Sequence, residues 1–154
     1  MSTTRSALLR RARPWLLAAG AAQLALRGGG LLAARRLEVG DPSSARIRRV
    51  KTLGQVTMKA DSKELARIEL DLVLAGARLD LTTASPAPGG IDLILTCALA
   101  GAEVRVPETW RISTDTHGPG GVTVKGALTT VNPASADLRV NLRAFGGGAT
   151  LATG

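Results

Sequence analysis

From residue 50 onward, apolar side chains alternate with polar ones, and the alternation changes phase beside a glycine. In LVLAGARLDL, residues 72–81, Leu72 and Leu74 share one parity, whereas Leu79 has the other. A strand that changes parity must insert a residue or turn a corner, because otherwise its apolar side chains would point into water. Since glycine tolerates positive φ angles, we expect Gly76 to form this corner and Leu74 and Leu79 to point into one core.

The same pattern returns along the chain at intervals of 20 to 27 residues. The predicted corners are Gly54, Gly76, Gly101, Gly121 and Gly148. Gly121 is the least regular, because the apolar residues on both sides of it keep one parity. A repeat of this length predicts an all-β fold, a solenoid of about four or five short coils over residues 50–152. The alternative is an antiparallel β-sandwich, which short strands of this kind also build.

Large aromatic side chains are almost absent, and this limits how the core can be packed. The chain has only Trp15, Trp110 and Phe145. A core of Val, Leu, Ile and Ala must be thin and regular, which favours a repetitive stack. The single cysteine, Cys97, excludes an intramolecular disulfide and a zinc site made of several cysteines, and its aliphatic surroundings predict a small buried side chain.

Positive charge is concentrated in the first third of the chain. Residues 1–51 hold eleven Lys and Arg against two acids, whereas the remaining residues are close to neutral. Residues 1–36 combine this charge with apolar runs that Arg27 and three glycines interrupt. Such a segment is typical of a short membrane anchor, an amphipathic segment on an anionic membrane or a secretory signal, and the alternative is a helix packed on the domain or a disordered segment. Residues 37–49 have turn composition and are predicted to be a linker.

The basic residues expected beside the membrane are Arg10, Arg11, Arg13, Arg35 and Arg36. They flank apolar stretches, and no aromatic residues lie between them to stack on bases. This combination suits anionic lipid better than nucleic acid, so no nucleic-acid partner is expected.

Catalytic patterns are missing from the sequence. His117 is the only histidine and lies in a turn-like stretch after Asp115, without further metal ligands at a recognisable spacing. The acids alternate with apolar positions, as on a solvated sheet face, and no glycine-rich stretch carries the Lys-Ser/Thr of a phosphate loop. We therefore expect no enzyme, no metal and no cofactor. Trp110, after Pro107, is expected to cover the open side of the stack, and the alternative is an exposed contact with a partner.

The order of these elements resembles a known family. The stretches Val50–Met58, Leu74–Leu81, Leu99–Val106, Arg105–Trp110 and Phe145–Leu151 are similar to the glycine corners and the basic-Val-Pro-x-x-Trp strand end of LiaF-like C-terminal domains. These domains belong to the cell-wall-active-antibiotic response proteins. The resemblance covers about residues 50–152 and implies a right-handed β-helix-like domain. It also implies a bacterial regulator of the cell-envelope stress response, with a sensor kinase or response regulator as partner.

Taken together, the sequence predicts a non-catalytic, membrane-associated interaction protein whose domain lies on the cytoplasmic side of the envelope. A purely cytoplasmic location is the alternative. The alternative function is structural, because the end rungs of a solenoid expose unpaired backbone groups through which copies can stack into a filament.

Overall fold

Period-two alternation produces strands throughout residues 38–154, the part of the chain that the structure, a computed structural model, describes. The strands are β1 (Arg46–Lys51), β2 (Gly54–Lys59), β3 (Arg67–Val73), β4 (Ala75–Asp80), β5 (Ile91–Val106), β6 (Arg111–His117), β7 (Gly121–Lys125), β8 (Thr129–Thr130) and β9 (Leu138–Thr153). Among these residues the one helical element is a 3₁₀ turn, Pro133–Ser135. The predicted all-β class is confirmed. The predicted N-terminal segment, residues 1–36, and its arginines lie outside the described residues.

The strands form two parallel ladders that share their central strands. The first ladder has the order β1-β3-β5-β9-β6-β8, and the second has the order β2-β4-β5-β9-β7. We call a stretch of chain that adds a strand to both ladders a rung. Rung 1 is β1 and β2, rung 2 is β3 and β4, rung 3 is β5, rung 4 is β6 and β7, and rung 5 is β9. β5 and β9 run through both ladders as continuous 16-residue strands.

The rungs do not stack in the order of the sequence. Rung 5 pairs with rung 3 on one side and with rung 4 on the other, so the spatial order is 1-2-3-5-4. Each pairing between named strands is parallel, and the antiparallel β-sandwich considered from the sequence is therefore wrong. The sheet does not close on itself.

One face of both ladders is buried in a common core of mostly aliphatic side chains. In rung 2, Ile68, Leu70 and Leu72 point inward from the first ladder, and Leu79 points inward from the second. Cys97 lies in the same core with no exposed surface, as the sequence predicts. Burial raises the pKa of the Cys97 thiol, so the side chain is an uncharged packing group.

The predicted linker, residues 37–49, is too long. The first strand begins at Arg46, and Ile47 within it is only 2% exposed. Burial of this isoleucine against rung 2 brings residues 46–49 into the sheet, despite the turn composition that precedes them.

Ion pairs on the solvent face connect neighbouring rungs. Because each pair joins residues of different rungs, it favours one strand register over the alternatives. Exposed pairs of this kind each contribute about 0–1 kcal/mol, so their main effect is on register. The pairs are Arg48–Asp71 at 3.0 Å, Arg78–Glu103 at 3.0 Å and Arg139–Asp92 at 2.6 Å.

Candidate interaction surface at the sheet corner

The bend between the two ladders contains one extra residue that turns outward. In rung 2, Leu72 and Ala75 both point inward although they are three positions apart, so Val73 and Leu74 both project into solvent. Rung 3 has the same arrangement, with Leu99 projecting outward. The phase of the alternation changes at these leucines, because a strand with one additional residue presents the opposite parity beyond it.

The corner residue adopts a left-handed backbone conformation. The φ angles are 49° at Leu74 and 50° at Leu99, and the residue that aligns with them in rung 5, Gly146, has a φ of 84°. Only glycine visits this region freely, and a leucine is an outlier there. Outliers of this kind are found at functional sites more often than elsewhere, which makes the corner a candidate site.

Two predictions about this corner are wrong. Leu74 is 54% exposed and Leu79 is 1% exposed, so the two leucines do not share the core. The positive φ angles fall at Leu74 and Leu99, two residues before the glycines Gly76 and Gly101 that were expected to carry them. The reason is that the extra residue lies between Leu72, the last inward residue of the first ladder, and Ala75, the first inward residue of the second. The glycines come after this point and already belong to the second ladder.

Exposed apolar residues line up along the corner from rung 1 to rung 5. We call this set the corner ridge. It consists of Leu53 (50% exposed), Val73 (44%), Leu74 (54%), Leu99 (69%) and Phe145 (71%). The strand register places Leu74 opposite Leu99 and places Val73, Ala98 and Phe145 in the next column. Five of the seven large apolar side chains that are exposed in the described residues belong to the corner ridge, so their clustering is a property of the fold.

The predicted corner glycines form a column next to the corner ridge. Neighbours in register along this glycine column are Gln55, Gly76, Gly101, Gly148 and Gly121. Four of its five members have no side chain, so the ridge stands above its surroundings on that side. The remaining predicted corner, Gly54, begins β2 with a φ of 91°.

Rung 4 lacks the extra corner residue. His117 pairs with Arg143 and Gly121 pairs with Gly148, so the connection in rung 4 is one residue shorter than the one in rung 5. This explains why the alternation keeps its parity around Gly121. Rung 4 consequently adds no apolar residue to the corner ridge.

An unpaired positive charge lies beside the corner ridge. Arg143 lies two residues before Phe145 on the exposed side of β9, and it has no ion-pair partner among residues 38–154. Two acids near the ridge are paired with arginines. Asp71 binds an arginine of rung 1, and a hydrogen bond from the Arg78 guanidinium lowers the pKa of the Glu103 carboxyl.

Trp110 is a core residue. Its side chain is 7% exposed and packs in the core cluster, and its backbone N–H donates a hydrogen bond to the Pro107 carbonyl at 3.2 Å. The interpretation of Trp110 as an exposed partner contact is therefore wrong. Its position agrees with the other interpretation, in which it covers the core.

Within the described residues, His117 faces a neighbouring acid on the exposed surface. His117 Nδ1 is 3.8 Å from Asp115 Oδ1, and both side chains are 64% exposed. Within residues 38–154, no three His, Cys, Asp or Glu side chains are grouped closely enough to hold a metal ion. Exposed, separated groups of this kind lack the fixed geometry that acid–base catalysis requires.

An open depression of about 300 Å³ lies beside β1. It is lined by Val39, Arg46, Ile47, Arg48, Arg67 and Glu69. Two of its arginines are already engaged, because Arg67 Nε is 2.6 Å from Glu69 and Arg48 is 3.0 Å from Asp71. The corner ridge is therefore the stronger candidate site.

Sequence reasoning missed the corner ridge because it assigned Leu74 and Leu99 to the core. A signal was present. Counting backward from Leu79 in steps of two residues gives Ala75 as an inward position, and Ala75 is three residues after Leu72. An inward-to-inward spacing of three instead of two turns Leu74 outward. The repeat of this spacing in rung 3 marks a second outward leucine.

No protein-family model, no curated protein and no solved structure matches this chain. The family resemblance drawn from the sequence therefore remains a prediction. Among residues 38–154, no helix has the length and apolar character that crossing a bilayer demands.

Proposed function

We propose that this chain is a non-catalytic, membrane-associated interaction protein with a regulatory role at the bacterial cell envelope. The observation that carries the proposal is the corner ridge. A row of large apolar side chains in water is unfavourable unless another body covers it, and such patches mark interaction surfaces in soluble domains. The basic, apolar residues 1–36 support attachment to a membrane.

The regulatory part of the proposal rests on the resemblance to LiaF-like domains. In that family the domain acts in the envelope stress response, so a sensor kinase or a response regulator is the expected protein partner. We place the domain on the cytoplasmic side, because the basic residues of the front segment, residues 1–36, favour that orientation.

We also propose the finer architecture that the sequence predicts, a right-handed β-helix-like solenoid. Parallel pairing of successive rungs and bends at matching positions support it. In this arrangement rung 5 is inserted between rungs 3 and 4. A crystal structure in which the connection from β4 to β5 has a left-handed crossover would contradict it.

Fractionation of bacterial cells tests the membrane association. The full chain is expected in the membrane pellet, and a variant lacking residues 2–36 is expected mainly in the supernatant, because the front segment supplies most of the affinity. A variant with Arg10, Arg11 and Arg13 changed to Gln separates electrostatic from apolar attachment. If charge contributes, salt should release the full chain from the membrane more than it releases this variant. A full chain that stays in the supernatant contradicts the proposal.

Self-assembly is the second candidate function. It is supported by the outer edges of β2 and β7, each of which pairs with one strand only. Continuing the second ladder from β7 of one copy to β2 of the next would place Lys125 over Lys59, and like charges in register oppose stacking. We therefore expect light scattering to report particles of constant size as concentration rises. Growth into long particles would favour assembly.

A further inference from the structure

The leucines at the corner are not required by the fold. The equivalent position in rung 5 is Gly146, which shows that glycine satisfies the same bend. Leu74 and Leu99 adopt a conformation that is unfavourable for leucine and also expose most of their side chains. At both positions the backbone conformation lowers stability and the exposed side chain adds little burial, so the side chains serve something other than folding.

The corner ridge has the shape of a protruding edge. Four rungs at a strand spacing of about 4.8 Å give it a length of roughly 14 Å. The Leu99 side chain leans across rung 5, because a Cβ at Gly146 would lie 2.9 Å from Leu99 Cδ2. The glycine column leaves the surface low on one side. Such an edge has no groove to hold a peptide or a helix, whereas lipid chains adapt to a protruding apolar row.

The charges around the corner ridge select the kind of lipid. Arg143 lies beside the ridge, on the exposed side of β9 and two residues before Phe145. The ridge itself contains no acid, and Asp71 and Glu103 nearby are held by arginines at 3.0 Å. Apolar side chains beside an unpaired arginine, with the neighbouring acids already paired, suit contact with an anionic membrane surface.

We propose that the corner ridge is the edge by which this domain contacts an anionic lipid bilayer, with Leu74, Leu99 and Phe145 entering the headgroup region. This inference rests on the proposed membrane association and adds the surface that makes the contact. It orients the domain with the bend between the two ladders toward the lipid and with the core away from it.

A fluorescent label at the ridge tests the contact site directly. Cys97 is fully buried, so an environment-sensitive label on L99C reacts selectively in the full chain. We expect its emission to shift to the blue on vesicles of mixed phosphatidylcholine and phosphatidylglycerol. A label on S135C is the control, because Ser135 lies before β9 and roughly 23 Å from the corner at about 3.3 Å per residue, and its emission is expected to stay unchanged.

The outcomes separate this inference from the proposed function. If the full chain sediments with the vesicles while the L99C label does not shift, the ridge inference is wrong and membrane association stands. If the chain does not sediment with them, both are wrong. A shift that needs no vesicles and grows with protein concentration would assign the ridge to a second copy. A label that is blue-shifted in the absence of vesicles, and that moves to the red when residues 2–36 are deleted, would assign the ridge to residues 1–36 of the same chain.

Paired variants give the magnitude of the effect. L74G with L99G places glycine where rung 5 already has it, so the variant should fold and should bind the same vesicles about tenfold more weakly. V39T with V124T removes the same number of exposed apolar side chains outside the ridge and is expected to bind like the unchanged chain. Equal affinities for the two double variants would overturn the inference.

Discussion

Rung 5 and rung 4 are neighbours in space, yet one belongs to the centre of the sheet and the other to its edge. The inward side chains of rung 5 include Val140 and Leu142, which are at most 1% exposed. The equivalent positions of rung 4 include Thr114 and Thr116, which are exposed. A rung with large aliphatic side chains gains most when it is covered on both sides, whereas a rung with threonines loses little at the end. The apolar content of a rung, and not its place in the sequence, therefore decides its position in the stack.

The largest expected effect tests whether the central rungs contribute more than rung 4 to the free energy of unfolding. Leu95 lies in β5 between Leu70 and Leu142 and has no exposed surface. L95A should lower the free energy of unfolding by about 3 kcal/mol, because it leaves a cavity in a packed core. Urea denaturation measures this loss. V124A, at an inward position of rung 4 that is 37% exposed, should cost less than about 1 kcal/mol. Similar losses would show that rung 4 is packed as tightly as the centre.

A second prediction concerns the contact between the two rungs at the glycine column. A Cβ at Gly148 would lie 2.5 Å from the Gly121 carbonyl oxygen, whereas a Cβ at Gly121 would meet nothing within 4 Å. G148A should therefore lower the unfolding free energy by about 2 kcal/mol by pushing rung 4 away from rung 5. G121A should change it by less than about 0.5 kcal/mol. Thermal unfolding compares the two variants, and losses of the same size would contradict this packing.

The third prediction uses pH to test the attachment of rung 4. Hydrogen bonds from the side chain and backbone of Arg111 lower the pKa of Asp137 below its ordinary value near 3.8. The carboxylate therefore stabilises the fold above that pH, and this stabilisation is lost as the pH falls through the folded-state pKa. D137N should cost about 1 kcal/mol at pH 7 and show a smaller loss of stability on acidification.

D115N is the control for this pH profile. Asp115 is in rung 4 as well, but it is exposed and only faces His117 at 3.8 Å. We expect D115N to unfold like the unchanged chain at pH 7, because the Asp115 side chain is 64% exposed. If D137N also follows the unchanged chain in unfolding experiments between pH 2 and pH 7, the contact with Arg111 contributes nothing to holding rung 4.

The smallest expected effect is at the corner. L74G with L99G removes two unfavourable backbone conformations but makes the unfolded chain more flexible, so the unfolding free energy should change by less than about 1 kcal/mol. The same exchange at a core position, L79G, should cost several kcal/mol, since Leu79 is 1% exposed. A large loss in the double corner variant would show that the leucines support the fold, and their exposure would need another explanation.

Much of the fold could be predicted from the alternation. It correctly indicates strands from residue 50 to the end of the chain, the inward positions of Leu72 and Leu79, and the burial of Cys97. The candidate site could not be predicted in the same way. Leu74 continues the parity of the residues before it, and the extra residue is recognisable only when the inward positions of the second ladder are known.

The sequence by itself determined the all-β class, the repeated bends and most of the inward-facing residues, because strand formation follows from the side-chain pattern of near neighbours. Only the tertiary structure decided that rung 5 lies between rungs 3 and 4 and that leucines are turned outward into one ridge. Both results depend on how complete rungs compete for burial and on the register between strands that are far apart in sequence. The physical reason is that local alternation specifies which face of a strand is apolar, whereas packing between strands specifies which strand covers that face.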